Sequence, residues 1–340
     1  MTVLTTLTRD DLGSMLARYG VWQFDASPTS GGVENTNYFV TAYATPGQAH
    51  SQPRQLVLTL LESAVDDSTW RLPALLDTLS GAGLPTPVLL RTVDGEASST
   101  WSGRRVLLCT RMPGEHRARV SAADCASIGR FLARMHGATA ARLAHTPAHP
   151  RDLSWLRAHV SSLSPALPPW QRDLLTEGLR RVEALLARPE FARLPEAVVH
   201  GDLFRDNALF NDAGLSGVID FHHAARHKRL FDIAVTLCDW CIDPTTGVCD
   251  QRARSLLDAY DAIAPITDAE HALLPLFMCY ATLAFTLSRL QGHVDRLDGY
   301  GKSPIPMLHR LSQCIAPPWP VLAFRGVQRD PAGLPTTAVP

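Results

Sequence analysis

Between Val198 and Phe221 the chain reads VVHGDLFRDNALFNDAGLSGVIDF, and this run restricts the fold more than any other stretch. Ala197, Val198 and Val199 are a short apolar segment suited to a buried strand that ends at His200. Asp202, Arg205, Asp206 and Asn207 crowd the polar loop behind it. Leu209 and Phe210 mark a second strand, Asn211-Asp212-Ala213-Gly214 a turn, and Leu215 to Ile219 a last strand that delivers Asp220. Such an alternation of strands and loops brings several oxygen ligands into one pocket from rigid supports. A lone Asp or Asn here would ordinarily be read as a loop cap. The whole spaced set is poorly explained that way.

The chemistry this arrangement suits is phosphoryl transfer, which needs a carboxylate near the attacking hydroxyl and hard oxygen ligands for Mg²⁺ on the nucleotide phosphates. A carboxylate, an amide five residues on and a second carboxylate after a β-turn follow the order of the protein-kinase catalytic loop and metal-binding Asp. Here the positions are Asp202, Asn207 and Asp220. The pattern His200-Gly-Asp202-x₄-Asn207-x₁₂-Asp220 resembles the kinase-like phosphotransferases, a group that includes aminoglycoside phosphotransferases, choline kinases and homoserine kinases. His-Gly-Asp in place of His-Arg-Asp points to small-molecule kinases. The resemblance implies an α+β, bilobal protein-kinase-like fold, with a small antiparallel-sheet lobe carrying one helix and a larger, mainly helical lobe.

Composition narrows the partners. Net charge is −1, from 32 basic and 33 acidic residues, which removes any general case for nucleic acid or an anionic membrane surface. Hydrophobic residues make up 46% and charged residues 19%, enough for a sizeable core. The N-terminus MTVLTTLTRDDLG lacks the layout of a signal peptide. The apolar run Leu273–Leu287, interrupted by Pro275, is too short for a membrane span and predicts a buried helix. Seven scattered Cys suit a reducing cytoplasm better than a disulfide framework.

Along the chain, residues 8–20 predict a helix capped by Thr8 and closed by Gly20. SGGVENTNYFV (30–40) is a Gly pair followed by an extended run; Gly31 and Gly32, with Asn35, are candidates for a turn over the phosphates. QLVLTLLE (55–62) predicts a strand, and it departs from the general kinase pattern. Thr59 stands where an ATP-pairing Lys is expected, and residues 21–100 contain no Lys. Mg²⁺, backbone N–H groups and Arg71 are then the candidates for neutralising the phosphates. Residues 72–83 predict a helix with Leu72, Leu75, Leu76 and Leu79 on one face. Val88–Thr92 and Arg104–Thr110 read as the last two strands of the sheet, with Asp94-Gly95 as a hairpin signal. Arg111-Met112-Pro113-Gly114 then marks a hinge whose backbone, at Arg111 and Met112, would meet the adenine.

From Ser121 onward the pattern is helical. Residues 122–139 form one helix, and His136 near its end reads as a capping or packing residue. Helices follow at 155–160, 169–188 and 267–291, and the Pro-rich stretch 318–340 reads as an irregular tail. The expected division is 1–112 for the nucleotide lobe, 113–317 for the helical lobe and 318–340 for the tail. Cys238-x₂-Cys241 with Cys249 carries no second pair and reads as core. Of His222 and His223, adjacent on an extended segment, at most one faces the pocket.

GGVENTNYFV, HGDLFRDNALF and Thr236-Leu237-Cys238-Asp239-Trp240-Cys241 resemble, in that order, stretches of bacterial homoserine kinases. The resemblance implies ATP and Mg²⁺ as cofactors and L-homoserine as acceptor. Asp202 would take the hydroxyl proton, His200 brace the loop, Asn207 and Asp220 hold the metal, and Asp232 brace the catalytic loop. Arg205 or Arg289 would meet the acceptor carboxylate and Asp239 its ammonium, with His222 a further substrate candidate. Two other readings stay open: a different acceptor such as choline or an aminoglycoside, or a nucleotide-binding module that transfers nothing.

Overall fold

Period-two burial along the first half of the chain builds a sheet with two different faces. The computed structural model describes residues 5–29, 35–43, 52–62, 71–243, 247–295 and 303–315. Strands β1 (Phe24–Pro28), β2 (Thr36–Ala42), β3 (Arg54–Leu60), β4 (Ser99–Trp101) and β5 (Arg104–Thr110) make an antiparallel sheet in the order β1-β2-β3-β5-β4. On one face Tyr38, Val40, Leu56, Leu58, Leu60, Val106 and Leu108 pack with Leu12, Met15 and Leu16 of α1 (Arg9–Ala17). Thr8 and Asp11 close a capping box at the start of that helix, as the sequence predicted from Thr8. The other face carries the half-buried Asn37, Phe39, Val57 and Thr59, with Leu107 joining the core of the helical half. Helix α2 (Arg71–Gly81) buries Leu72, Leu75, Leu76 and Leu79 in that same larger core, with Arg71 exposed at its start. The small lobe thus carries α1 as well as the expected α2.

The edge of the sheet departs from expectation. Val88–Thr92 forms no strand of its own and touches β5 through a single bridge, Leu89 to Cys109. The true partner of β5 is β4, joined to it at Ser102-Gly103, where both residues have positive φ (47° and 76°). That is the geometry of the two-residue hairpin turn. Asp94-Gly95 closes a smaller turn in which Gly95 N–H donates to the Thr92 carbonyl.

The chain leaves the sheet at Arg111 and is pinned at once to the other half. Glu115 and Phe210 exchange both backbone hydrogen bonds at 2.9 Å. Gly114 has φ +104°, and a Cβ there would lie 2.6 Å from the Phe210 carbonyl oxygen, so this close crossing needs glycine.

The larger half is helical: α3 (Ala122–Ala138), α4 (Leu153–Leu163), α5 (Pro169–Leu186), α6 (Pro189–Arg193), α7 (Leu230–Trp240), α8 (Asp250–Asp261), α9 (Asp268–Asp295) and α10 (Ile305–Ile315). α9 is the central post, packed by α4, α5, α7 and α10. By length and composition it could cross a membrane, but 78% of its apolar window is buried inside the protein. Inserted between helices are the short ladders β6 (Glu196–Val199) with β9 (Ala225–Lys228), β7 (Ala208–Asn211) with β8 (Gly214–Val218), and β10 (Ile242–Asp243) with β11 (Gly247–Val248). All seven cysteines are free thiols, with Cys238 and Cys241 in the core, and no cluster of metal-ligating His, Cys, Asp or Glu exists among the described residues.

Candidate active site

The loop after β6 is held from below by one carboxylate. Asp232, in the first turn of α7 and fully buried, accepts the His200 N–H at 2.6 Å and the Gly201 N–H at 2.8 Å. Its Oδ2 also meets His136 Nε2 at 3.0 Å, and His136 Nδ1 meets the Tyr260 hydroxyl at 2.8 Å. The Asp232 brace expected from sequence order is present. His136 proves to pack under this loop and caps no helix end. Gly201 sits at φ +78°, where a Cβ would come within 2.8 Å of the His223 carbonyl oxygen. No other residue takes this corner without displacing backbone.

His200 is locked in a single tautomer. Its Nε2–H donates to the Ile219 carbonyl at 3.0 Å, and its Nδ1 accepts the Asp202 N–H at 3.3 Å. Burial drives its pKa down, against the pull of Asp232 and Asp220, so the ring is neutral and acts as a spacer between the loop and the strand that leads to Asp220.

Asp202 and Asn207 are bonded directly, and the strand leading to Asp220 is tied to Asn207 through its backbone. Asn207 Nδ2 donates to the Asp202 carbonyl at 2.7 Å and to Asp202 Oδ2 at 3.1 Å, so that the donor end of the amide is turned to Asp202. The Ile219 N–H donates to the Asn207 carbonyl at 3.0 Å, fixing the residue before Asp220 against Asn207. Asp220 itself is left-handed, with φ 65° and ψ 62°, a costly conformation for a residue with a Cβ and one found mostly at functional sites. Its carboxylate is 46% exposed and accepts His222 Nδ1 at 2.8 Å. Burial works to raise the Asp220 pKa, but the His222 hydrogen bond and the nearby His222, His223 and His200 rings outweigh it and hold the group ionised.

Of the nucleotide candidates from the first half of the chain, Thr59 lies on the half-buried face of the sheet. Thr59 and Asn37, opposite each other in the β2–β3 register, are joined by a 2.6 Å bond from the Thr59 hydroxyl to Asn37 Oδ1. Asn35 Oδ1 accepts the Glu62 N–H at 3.3 Å. Gly31 and Gly32 lie outside the described residues. At the hinge the Arg111 guanidinium stacks on Phe39 at 3.8 Å, and the Arg111 N–H is already spent on the Gln55 carbonyl. Arg111 therefore has no amide to offer a base. The Met112 N–H makes no hydrogen bond among the described residues, and the cavity beside it, about 590 Å³, is lined by Gln55, Thr110, Met112 and Gly114.

Asp239, near the end of α7, is 6% exposed and has both oxygens occupied. Oδ2 accepts the Arg205 N–H at 2.8 Å and Arg205 Nε at 3.2 Å, while Oδ1 meets an Arg310 guanidinium nitrogen at 3.0 Å. A carboxylate so engaged has little acceptor capacity left over for a substrate ammonium. Arg289 comes in from α9, its guanidinium 5.9 Å from the Phe204 ring. The structure brings Arg205, Arg289 and Asp239 together, with His222 apart from them on Asp220. Arg310 was missed in the sequence: it belongs to α10, and nothing local distinguishes it from a surface arginine.

A strand-rich lobe and a helical lobe around such a loop define a kinase-like phosphotransferase. A model of the phosphotransferase enzyme family named APH matches residues 25–266, and the chain belongs to that family. It is 38% identical over 291 residues to a homoserine kinase of Pseudomonas aeruginosa, covering 85% of this chain and 88% of that one. To a homoserine kinase of Cupriavidus pinatubonensis it is 33% identical over 296 residues, with the same shares covered. Among solved structures it is similar in fold to the amicoumacin kinase hAmiN in complex with AMP-PNP, Ca²⁺ and its antibiotic (TM-score 0.66, 17% identity, 91% of this chain and 93% of that one). The spectinomycin phosphotransferase APH(9)-Ia superposes with a TM-score of 0.63 at 11% identity, over 92% of this chain and 96% of that one.

Proposed function

We propose that this phosphotransferase moves the γ-phosphoryl group of ATP, with Mg²⁺, onto the hydroxyl of L-homoserine to give O-phospho-L-homoserine, a step of threonine biosynthesis. The observation that carries the reading is the bond of the Asn207 side-chain amide to Asp202, with Ile219, the residue before Asp220, bonded to the Asn207 backbone. The homoserine kinases that it resembles over most of its length supply the acceptor. Hard oxygen donors from one amide and one carboxylate fit a magnesium ion that takes its remaining ligands from phosphates and water, and no preformed protein cage is needed. When bound, the ion neutralises charge on the transferring phosphoryl group.

The protein's own part is positioning. Asp202 receives the hydroxyl proton late in a loose transition state, so it needs no raised pKa. Its orientation is set by Asn207 Nδ2, and the loop's by His200 and Asp232. Asn207 Oδ1 and the Asp220 carboxylate would hold the metal. Thr59 replaces the usual strand lysine, and its bond to Asn37 leaves a short, neutral sheet surface over the phosphates. The adenine meets the backbone at Met112, and the lobes divide near residue 112, with 113–317 forming the helical unit.

The direct test is an ATP-consumption assay in Mg²⁺ with L-homoserine, choline and an aminoglycoside as acceptors. Turnover with homoserine is expected; turnover with choline and none with homoserine overturns the reading, and ATP bound but passed to no acceptor marks a module without transfer. Asp202→Ala should lower kcat by about a hundredfold or more while nucleotide affinity, measured by calorimetry, stays near the parent value. Near-normal turnover in that variant would remove Asp202 from the role.

A further inference from the structure

Three guanidinium groups gather around Asp239, beside the loop that carries Asp202, and they are not equivalent. Arg205 and Arg310 both close on Asp239, one on each oxygen. Arg289 has no hydrogen bond or ion pair among the described residues; its neighbours include the Phe204 ring and the charges of Arg310, Asp239, Asp206 and Asp202. Burial and the adjacent Arg310 both work against its charge, and the three carboxylates only partly offset them. A half-buried cation left without a pairing anion, in electrostatic reach of Asp202, is a receptor for an anion brought by the substrate. We infer that Arg289, with Arg310 held beside it by Asp239, receives the carboxylate of the acceptor and makes the enzyme selective for hydroxyl compounds that carry one. This rests on the small-alcohol kinase reading given above and adds to it the group that sets specificity.

The arrangement also argues against cationic acceptors. Arg289 lies 5.9 Å from the ring of Phe204, two residues beyond Asp202, and within electrostatic reach of Asp202, so in this scheme an acceptor whose hydroxyl reaches Asp202 extends its far end toward the Arg289 guanidinium. A trimethylammonium or polyamine there would face a like charge in a poorly solvated site. A four-carbon hydroxy-amino acid places its carboxylate there instead. Asp239 is a positioning residue in this scheme: by engaging Arg205 and Arg310 it keeps the first turned to the loop and the second beside Arg289.

The test compares L-homoserine with 3-aminopropan-1-ol, which has the same hydroxyl and amine but no carboxylate, using Mg²⁺ and ATP. The wild-type enzyme should prefer homoserine in kcat/KM. In Arg289→Gln that preference should shrink roughly 10- to 100-fold, mostly through KM for homoserine, the range expected for a lost hydrogen bond to a charged group. Arg289→Lys should recover part of it, since an ammonium keeps the charge without the planar fork. A merely structural arginine would lower activity with both acceptors and leave the ratio alone, and that outcome overturns the assignment while homoserine remains the substrate. If homoserine is not phosphorylated and choline is, the acceptor reading and the carboxylate receptor fall together. Should Arg289→Gln not fold, the same ratio in Arg289→Lys and Arg310→Gln decides the matter.

Discussion

Helix α7 carries two aspartates seven residues apart, Asp232 and Asp239, and the protein uses them in opposite ways. Two turns of helix return to nearly the same face, so both carboxylates point toward the segment running from His200 to Arg205. Asp232 is bound by backbone amides and a histidine that is itself held by Tyr260. Every partner is rigid, so the carboxylate sets a geometry. Asp239 is bound mainly by guanidinium groups at the ends of long side chains, from Arg205 and Arg310. Apart from the Arg205 N–H, its partners can turn, so the carboxylate mainly sets a charge pattern. One residue type on one helix face thus supports the His200–Asp202 loop at one end and organises an arginine pair at the other.

This contrast is open to attack by substitution. Asp232→Ala strands the His200 and Gly201 N–H groups in the interior. At about 1–3 kcal/mol for each buried unsatisfied donor, it should cost roughly 2–6 kcal/mol of stability, a large share of what a domain has, and turnover with it. Urea unfolding measures this, and a midpoint like the parent's would show that the brace bears little of the loop. Asp239→Asn should be milder for the fold and selective in its effect. We expect kcat/KM for the acceptor to fall about tenfold or more while KM for ATP holds, because hydrogen bonds to charged groups are each worth about 1.5–3 kcal/mol. Equal loss of stability in the two variants would erase the distinction between the sites.

The smallest effect concerns pH and the surroundings of the rigid end. His149 packs against Gly201 and lies 5.5 Å from the His227 ring, with both rings touching Phe231. Burial pushes the His149 pKa down to about 2 and that of His227 down to about 4. Because these folded values lie below the ordinary 6.5, the unfolded chain binds more protons as the pH falls. Their stabilisation is complete above about pH 6.5 and is lost on acidification, for His227 between about 6.5 and 4. Replacing His227 by Phe should flatten the acid limb of a plot of melting temperature against pH in that window; an unchanged limb would assign the acid sensitivity elsewhere.

Several features were legible in residue order. The strand, loop and strand around Asp202 could be read because turn residues and apolar pairs there alternate at short spacing. The Asp232 brace could be read because it follows the loop at a distance the family pattern implies. The edge of the sheet misled, since Val88–Thr92 has good strand residues yet lies where β4 occupies only part of the β5 edge, and the Ser102-Gly103 turn was weaker in composition than Asp94-Gly95. At the hinge, Arg111 looked as open as Met112. Only the β3–β5 pairing shows that its N–H is already taken by Gln55.

The positions we propose for metal and catalysis were legible in the sequence itself, since Asp202, Asn207 and Asp220 lie within one short segment. The arginine cluster we propose for the acceptor was decided by tertiary structure alone. Arg205, Asp239, Arg289 and Arg310 come from a loop and three helices, and which guanidinium pairs and which is left over depends on how α7, α9 and α10 pack. Charge pairing is settled by distance in space, and spacing along the chain carries no record of it.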